Sequence, residues 1–171
     1  MNGWNSWQGQ TDDGAVESEQ RVALRFPVVE FSEAGAEHLG RAYWREVERT
    51  TRGLVRARTR NDVLELRLLG GGPCLLRFGR PAFDATPTKA SCSYPIRGGV
   101  LARRPVGEIA FAQVDGSPSY VSSAIRGFFP TLAARQGEPD WTGALYTRVQ
   151  SRIHIAVSRR YFARLIAEAR Q

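Results

Sequence analysis

Between Asp140 and Arg170, Leu145, Tyr146, Val149, Ile153, Ala156 and Val157 recur at three- and four-residue spacing, which stacks side chains on one face of a helix. Pro139 followed by Asp140 supplies an N-cap, and no Gly or Pro interrupts the run after Gly143. The pattern predicts one amphipathic helix of roughly 45 Å, at about 1.5 Å per residue. A stripe of that length needs a broad partner, so a sheet should cover it. A second helical pattern begins at Ser32, a capping residue followed by Glu33 and Glu37, and ends by Gly53. It sets Leu39, Tyr43, Trp44 and Val47 against Arg45, Glu46, Glu48 and Arg49, with Gly40 as a place for a kink.

The rest of the chain has the period of strands. RVALRFPVVEF at 21–31 reads as a strand whose Pro27 puts it at an edge or a bulge. Residues 54–58 and 63–69 flank a turn at Arg60-Asn61-Asp62, and Gly70-Gly71-Gly72-Pro73 turns the chain into CLLRF at 74–78. Residues 81–88 are turn-rich. Strands then follow at 90–96, interrupted at Pro95, at 108–114, and at 120–129 after the Asp115-Gly116-Ser117-Pro118 turn. Connections this short require antiparallel pairing, because a parallel pair needs a crossover of a dozen or more residues. The expected fold is α+β: a curved antiparallel sheet of about seven strands gripping the long C-terminal helix, in β-α-β6-α order, as one domain over residues 21–171.

Residues 1–20 combine Gly, Asn, Ser and Gln with four acids and no base, and Trp4 and Trp7 are their only large apolar groups. That composition predicts a disordered acidic tail. The charge is therefore lopsided. Setting those four acids aside from the 17 in the chain leaves 13 against 24 bases, a net of +11, and only Lys89 among the bases is not Arg. A basic excess of this kind marks either a solvated surface or a site for an acidic partner or a phosphate backbone. Cys74 and Cys92 lack CxxC spacing and read as two structural thiols. No apolar run reaches the roughly 18 residues of a bilayer span, and MNGWNSWQGQ lacks the basic and apolar regions of a signal peptide. The protein is expected in the cytoplasm.

The element order resembles the helix-grip superfamily, which includes START lipid-transfer domains, birch-pollen-allergen-like proteins and polyketide cyclases. The resemblance is carried by the opening RVALRFPVVEF strand, the AYWREVERTT helix, the strand ladder and the closing LYTRVQSRIHIAVSRRYFARL helix. Family members usually show two short helices after the first strand where this chain has one. No motif of a particular branch is present. The resemblance implies an apolar cavity between sheet and C-terminal helix.

Residues placed to line such a cavity are Tyr94, Phe111, Gln113, Tyr120, Tyr146, Gln150, Ile153, His154 and Val157, with Ile125 beside them. Gln150, His154 and Ser158 are four apart and form a polar ridge at the margin of the stripe, suited to orienting a ligand carbonyl or hydroxyl. The expected function is non-catalytic binding of a hydrophobic or amphipathic small molecule. A second reading makes the core solid and assigns function to a basic ridge of Arg148, Arg152 and Arg159, facing an acidic protein partner or, less readily, nucleic acid. A third makes His154, with Tyr94 or Tyr146, the acid and base of a cyclase-like enzyme. No paired carboxylates converge on the presumed cavity. Two His residues without an acidic cluster support no metal site, and no cofactor is expected. The triple glycine lacks the Lys-Ser/Thr and helix start of a phosphate loop.

Overall fold

The computed structural model describes residues 3–131 and 140–170, with the side chains of 140–153 outside the description. Its first element is a hairpin, in place of the disordered tail that the composition predicts. Strand β1 (Trp4–Gln10) pairs antiparallel with β2 (Val16–Ala23) along its whole length. The turn is tied by Thr11, whose Oγ1 accepts the Ala15 N–H at 3.0 Å, and Gly14 takes the positive φ of 86° that the reversal needs. Ser18, Gln20 and Val22 alternate inward on β2. Two of those three buried positions are polar, so the hydrophobic period gives no sign of the strand.

Pairing stops at Ala23, and residues 24–31, expected to extend a strand, run instead as an irregular connection. Gln113 secures it. Its Oε1 accepts the N–H groups of Val28 at 2.6 Å and Val29 at 3.0 Å, while its Nε2 donates to the Val29 carbonyl at 2.8 Å. One side-chain amide thereby replaces the ladder bonds this backbone lacks. Ser32 then caps helix α1 (Glu33–Thr50), its Oγ accepting from the Gly35 N–H at 3.1 Å. Gly40 does not break this helix. A Cβ there would collide with the Tyr94 hydroxyl, so the glycine lets α1 ride close to the sheet.

Strands β3 (Val55–Arg60), β4 (Val63–Leu68), β5 (Cys74–Phe78), β6 (Ala82–Thr86), β7 (Lys89–Gly98), β8 (Glu108–Val114) and β9 (Tyr120–Phe128) follow, and helix α2 (Asp140–Glu168) closes the chain. The sheet is antiparallel throughout, with nine strands in the order β1-β2-β9-β8-β7-β5-β4-β3 and β6 also on β7. Against the seven expected, the two hairpin strands and β6, which the turn-rich sequence at 81–88 hides, are added and the strand expected at 21–31 is lost. The long β7 takes β6 along Lys89–Ser93 and β5 along Ile96–Gly98. Pro95, which has no N–H, sits where one partner gives way to the other.

Helix α1 packs on β3, β6, β7 and β8, and α2 packs on α1 and β2. Both helices share one face of the sheet. Phe111, fully buried on β8, is the hub: its ring centroid lies 4.5 Å from Tyr43, 6.0 Å from Trp44, 5.8 Å from Tyr161 and 6.3 Å from Tyr94. Trp4 from the hairpin meets Phe162 of α2 edge-on at 5.7 Å. No helix among the described residues is long and apolar enough to cross a membrane.

Candidate functional site

Period-2 alternation turns Gln20 of β2 and Ser123 of β9 toward the helices, and the register sets the two opposite each other. On α2, His154, Ser158 and Tyr161 are spaced to face the sheet and α1. A chain of buried polar side chains results. Ser123 Oγ donates to Gln20 Oε1 at 3.4 Å and lies 3.0 Å from Ser158 Oγ. The Ser158 hydroxyl bears on the Tyr43 phenol, and the Tyr43 hydroxyl lies 2.9 Å from His154 Nδ1. Four elements, β2, β9, α2 and α1, contribute to it.

Both ends of the chain are open. Gln20 Nε2 and His154 Nε2 are buried without a partner among the described residues, and so is Ser18 Oγ, two residues along β2 from Gln20. A buried polar group left unpaired costs about 1–3 kcal/mol, so three in one zone are a substantial expense for the fold. With Oε1 taken by Ser123, the Gln20 amide offers only donors. His154 Nε2 is a donor in the tautomer whose Nδ1 accepts from Tyr43 and an acceptor in the one whose Nδ1 donates to it. The Gln20 amide thus presents donors without an acceptor, and Ser18 Oγ and His154 Nε2 are further polar atoms without a partner among the described residues.

Burial fixes the protonation of both titrating members. It holds His154 neutral by lowering its pKa to about 4, and it drives Tyr43 well above the ordinary phenol value against a smaller opposing effect of Ser158. The folded state thus refuses a proton that the unfolded chain binds below its ordinary value of 6.5. Stability is complete above pH 6.5 and falls as pH drops toward 4, by on the order of 3 kcal/mol from this group. Urea denaturation across that window should show the loss, and His154→Leu should flatten it. An equal slope in the variant would assign the loss to other groups.

The residues picked from the sequence separate into distinct places. His154, Val157 and Ser158 are buried on α2. Tyr94 and Phe111 pack against α1, with the Trp44 ring 5.2 Å from Tyr94 and the Tyr43 ring 4.5 Å from Phe111. Gln113 spends its amide on residues 28 and 29. Tyr120 is on the opposite face of the sheet, one residue out of phase with buried Val121, and the Arg21 guanidinium lies 4.7 Å from its ring centre. The side chains of Tyr146, Gln150 and Ile153 lie outside the description, as do those of Arg148 and Arg152 of the basic ridge. Arg159, the third member of the ridge, is turned onto the Trp4 ring at 5.3 Å. Sequence reasoning missed Ser18, Gln20, Tyr43 and Ser123 as site members. The only available signal was the alternation through Ser18, Gln20 and Val22, and a polar pair makes a poor marker of a buried face.

Cys92 is a buried thiol whose pKa burial pushes up to about 12, and Cys74 is half-buried and also raised by burial, so neither is activated as a nucleophile. No group of three metal-ligating side chains occurs among the described residues. The fold is therefore that of an α+β protein with one antiparallel sheet, two helices on one face and a polar seam between them. No protein-family model, curated protein or solved structure matches the chain.

Proposed function

We propose that the protein binds a small amphipathic molecule between the C-terminal helix and the β2–β9 part of the sheet, without transforming it. The observation that carries this reading is the set of buried polar atoms on Gln20, His154 and Ser18 that have no hydrogen-bond partner among the described residues, above all the donor-only Gln20 amide. A ligand carbonyl, ether or hydroxyl oxygen would complete the Gln20 end, with the apolar remainder against α2. The oxygen is neutral in this reading, because Glu46 is the only fully buried charged residue among those described and no buried cation is present to match an anion. An antiparallel sheet with both helices on one face, α2 meeting α1 and β2, supports the helix-grip resemblance in the same sense. Binding is favoured over catalysis because His154 and Tyr43 titrate far from neutrality on opposite sides, and an acid–base pair works best near its operating pH.

Prodan, a neutral naphthyl ketone whose fluorescence shifts in apolar surroundings, has the required chemistry. The wild type should bind it saturably with a blue shift. Gln20→Leu should weaken binding about tenfold, the loss of one buried hydrogen bond, and should leave the melting temperature unchanged or higher because it removes an orphaned amide. Absence of saturable binding, or equal binding by the variant, overturns the reading.

A further inference from the structure

Four of the six large hydrophobic residues exposed among the described residues, Leu54, Leu68, Leu69 and Val100, lie at one end of the sheet. Backbone hydrogen bonds place them together. Leu69 N donates to Leu54 O at 2.7 Å, Leu68 N to Pro73 O at 3.1 Å, and Val100 N to Cys74 O at 3.0 Å. The ends of β3, β4, β5 and β7 are thus in consecutive order, and the leucines and valine crown them. This is a protruding tip and not a groove.

Arginines collar it. Arg56 and Arg58 reach over Gly70, where a Cβ would stand 3.3 Å from Arg56 Cδ and 3.3 Å from Arg58 Nη2, and Arg67 Nη1 donates to the Gly72 carbonyl at 3.0 Å. Glu65 pairs with Arg67 and Arg77. Arg52, Arg56 and Arg58 meet no carboxylate among the described residues. Residues 52–80 hold seven Arg against Asp62 and Glu65, a net of +5 within a chain of +7. Of these, Arg56, Arg58 and Arg67 stand beside the exposed leucines, while Arg60, Arg80 and Asp62 lie toward the opposite end of the β3–β4 hairpin.

We propose that this tip docks the protein on an anionic lipid surface, with Leu54 and Leu69 entering the acyl boundary and Arg56 and Arg58 at the level of the phosphates. Interfacial anchors combine these two chemistries, apolar area for depth and cations for attraction to the headgroups. The tip is also fit for a low dielectric, because the amides of Leu68, Leu69, Gly72, Val100 and Leu101 all donate within the protein. A nucleic acid fits less well, since leucines occupy the centre of the surface and no aromatic ring stands there to stack a base. Addition of a partner strand at the β3 edge is opposed as well, because the Ala57 N–H is already taken by the Glu48 carboxylate at 2.8 Å.

Co-sedimentation of the full chain with vesicles tests this. Binding is expected to phosphatidylcholine vesicles containing equimolar phosphatidylglycerol, with little to phosphatidylcholine alone, and should weaken as salt is raised. Arg56→Gln and Arg58→Gln should each reduce partitioning about fivefold. The paired change Leu54→Ser with Leu69→Ser should reduce it at least as much while keeping the wild-type melting curve, since both side chains are exposed. Failure of the wild type to bind the anionic vesicles overturns the proposal. So does a leucine variant that binds like the wild type, which would reduce the contact to simple electrostatic adhesion. Binding of a single-stranded oligonucleotide in place of the vesicles, lost in the arginine variants, would reassign the surface to nucleic acid and equally overturn it.

Discussion

A chain lacking residues 1–23 is expected to have no cooperative thermal transition. The composition of that segment argues that it is dispensable, but β2 is an internal strand, bonded to β1 on one side and β9 on the other. Its removal uncovers Val121 and Ser123 on β9 and takes Val22, exposed by only 1%, out of the core. It also removes Trp4 from Phe162 and Gln20 from the polar seam. Burying a side chain such as Val22 contributes about 1.5–3 kcal/mol, and each ladder hydrogen bond contributes about 0.5–1.5 kcal/mol net. Over an eight-residue strand these approach the roughly 5–15 kcal/mol that holds a whole domain together. Circular dichroism melting of the truncated chain measures the outcome. A sharp transition at the wild-type temperature would show the hairpin to be an appendage.

Phe111→Ala should be the most costly single core substitution, losing about 3–5 kcal/mol. Its ring touches aromatic residues from α1, β7 and α2 together, so no one element can move in to fill the hole. The urea midpoint should fall with an unchanged denaturant slope. The size of the loss reports on the packing around it. A decrease under about 1.5 kcal/mol would mean that the neighbours collapse easily or that free volume already exists beside the ring, as the cavity expected from the helix-grip resemblance would supply. A full loss places any ligand space away from Phe111, nearer the open ends of the Gln20–His154 chain.

Both helices, the Ser32 cap of α1 and most strands were legible because each rests on a local period. Ser32 starts α1 where the sequence places it, Asn61-Asp62 turns β3 into β4 with φ of 50° and 60°, and the closing helix runs over Asp140–Glu168. The hairpin and β6 were not legible. WNSWQGQ and VESEQRVA alternate polar with polar, and AFDAT follows a proline, so their strand character comes from the neighbours that pair with them.

The same division separates the site from the fold. The four-residue spacing of His154 and Ser158 was visible in the chain, and it placed a polar ridge on the buried side of α2. Their partners were not visible, since Gln20, Tyr43 and Ser123 lie 134, 111 and 35 positions from the α2 residues whose seam they join, taking Gln20 to His154, Tyr43 to His154 and Ser123 to Ser158. The sequence by itself determined the secondary-structure periods, the antiparallel sense of the sheet and the basic excess, because these depend on residues within a few positions of one another. Only the tertiary structure decided that α1 packs its aromatic residues on Tyr94 and Phe111, that Arg159 is held on Trp4, and that Arg56 and Arg58 of β3 gather beside exposed leucines. Those outcomes depend on which faces meet across the sheet, and strand order, which a linear pattern does not encode, sets that.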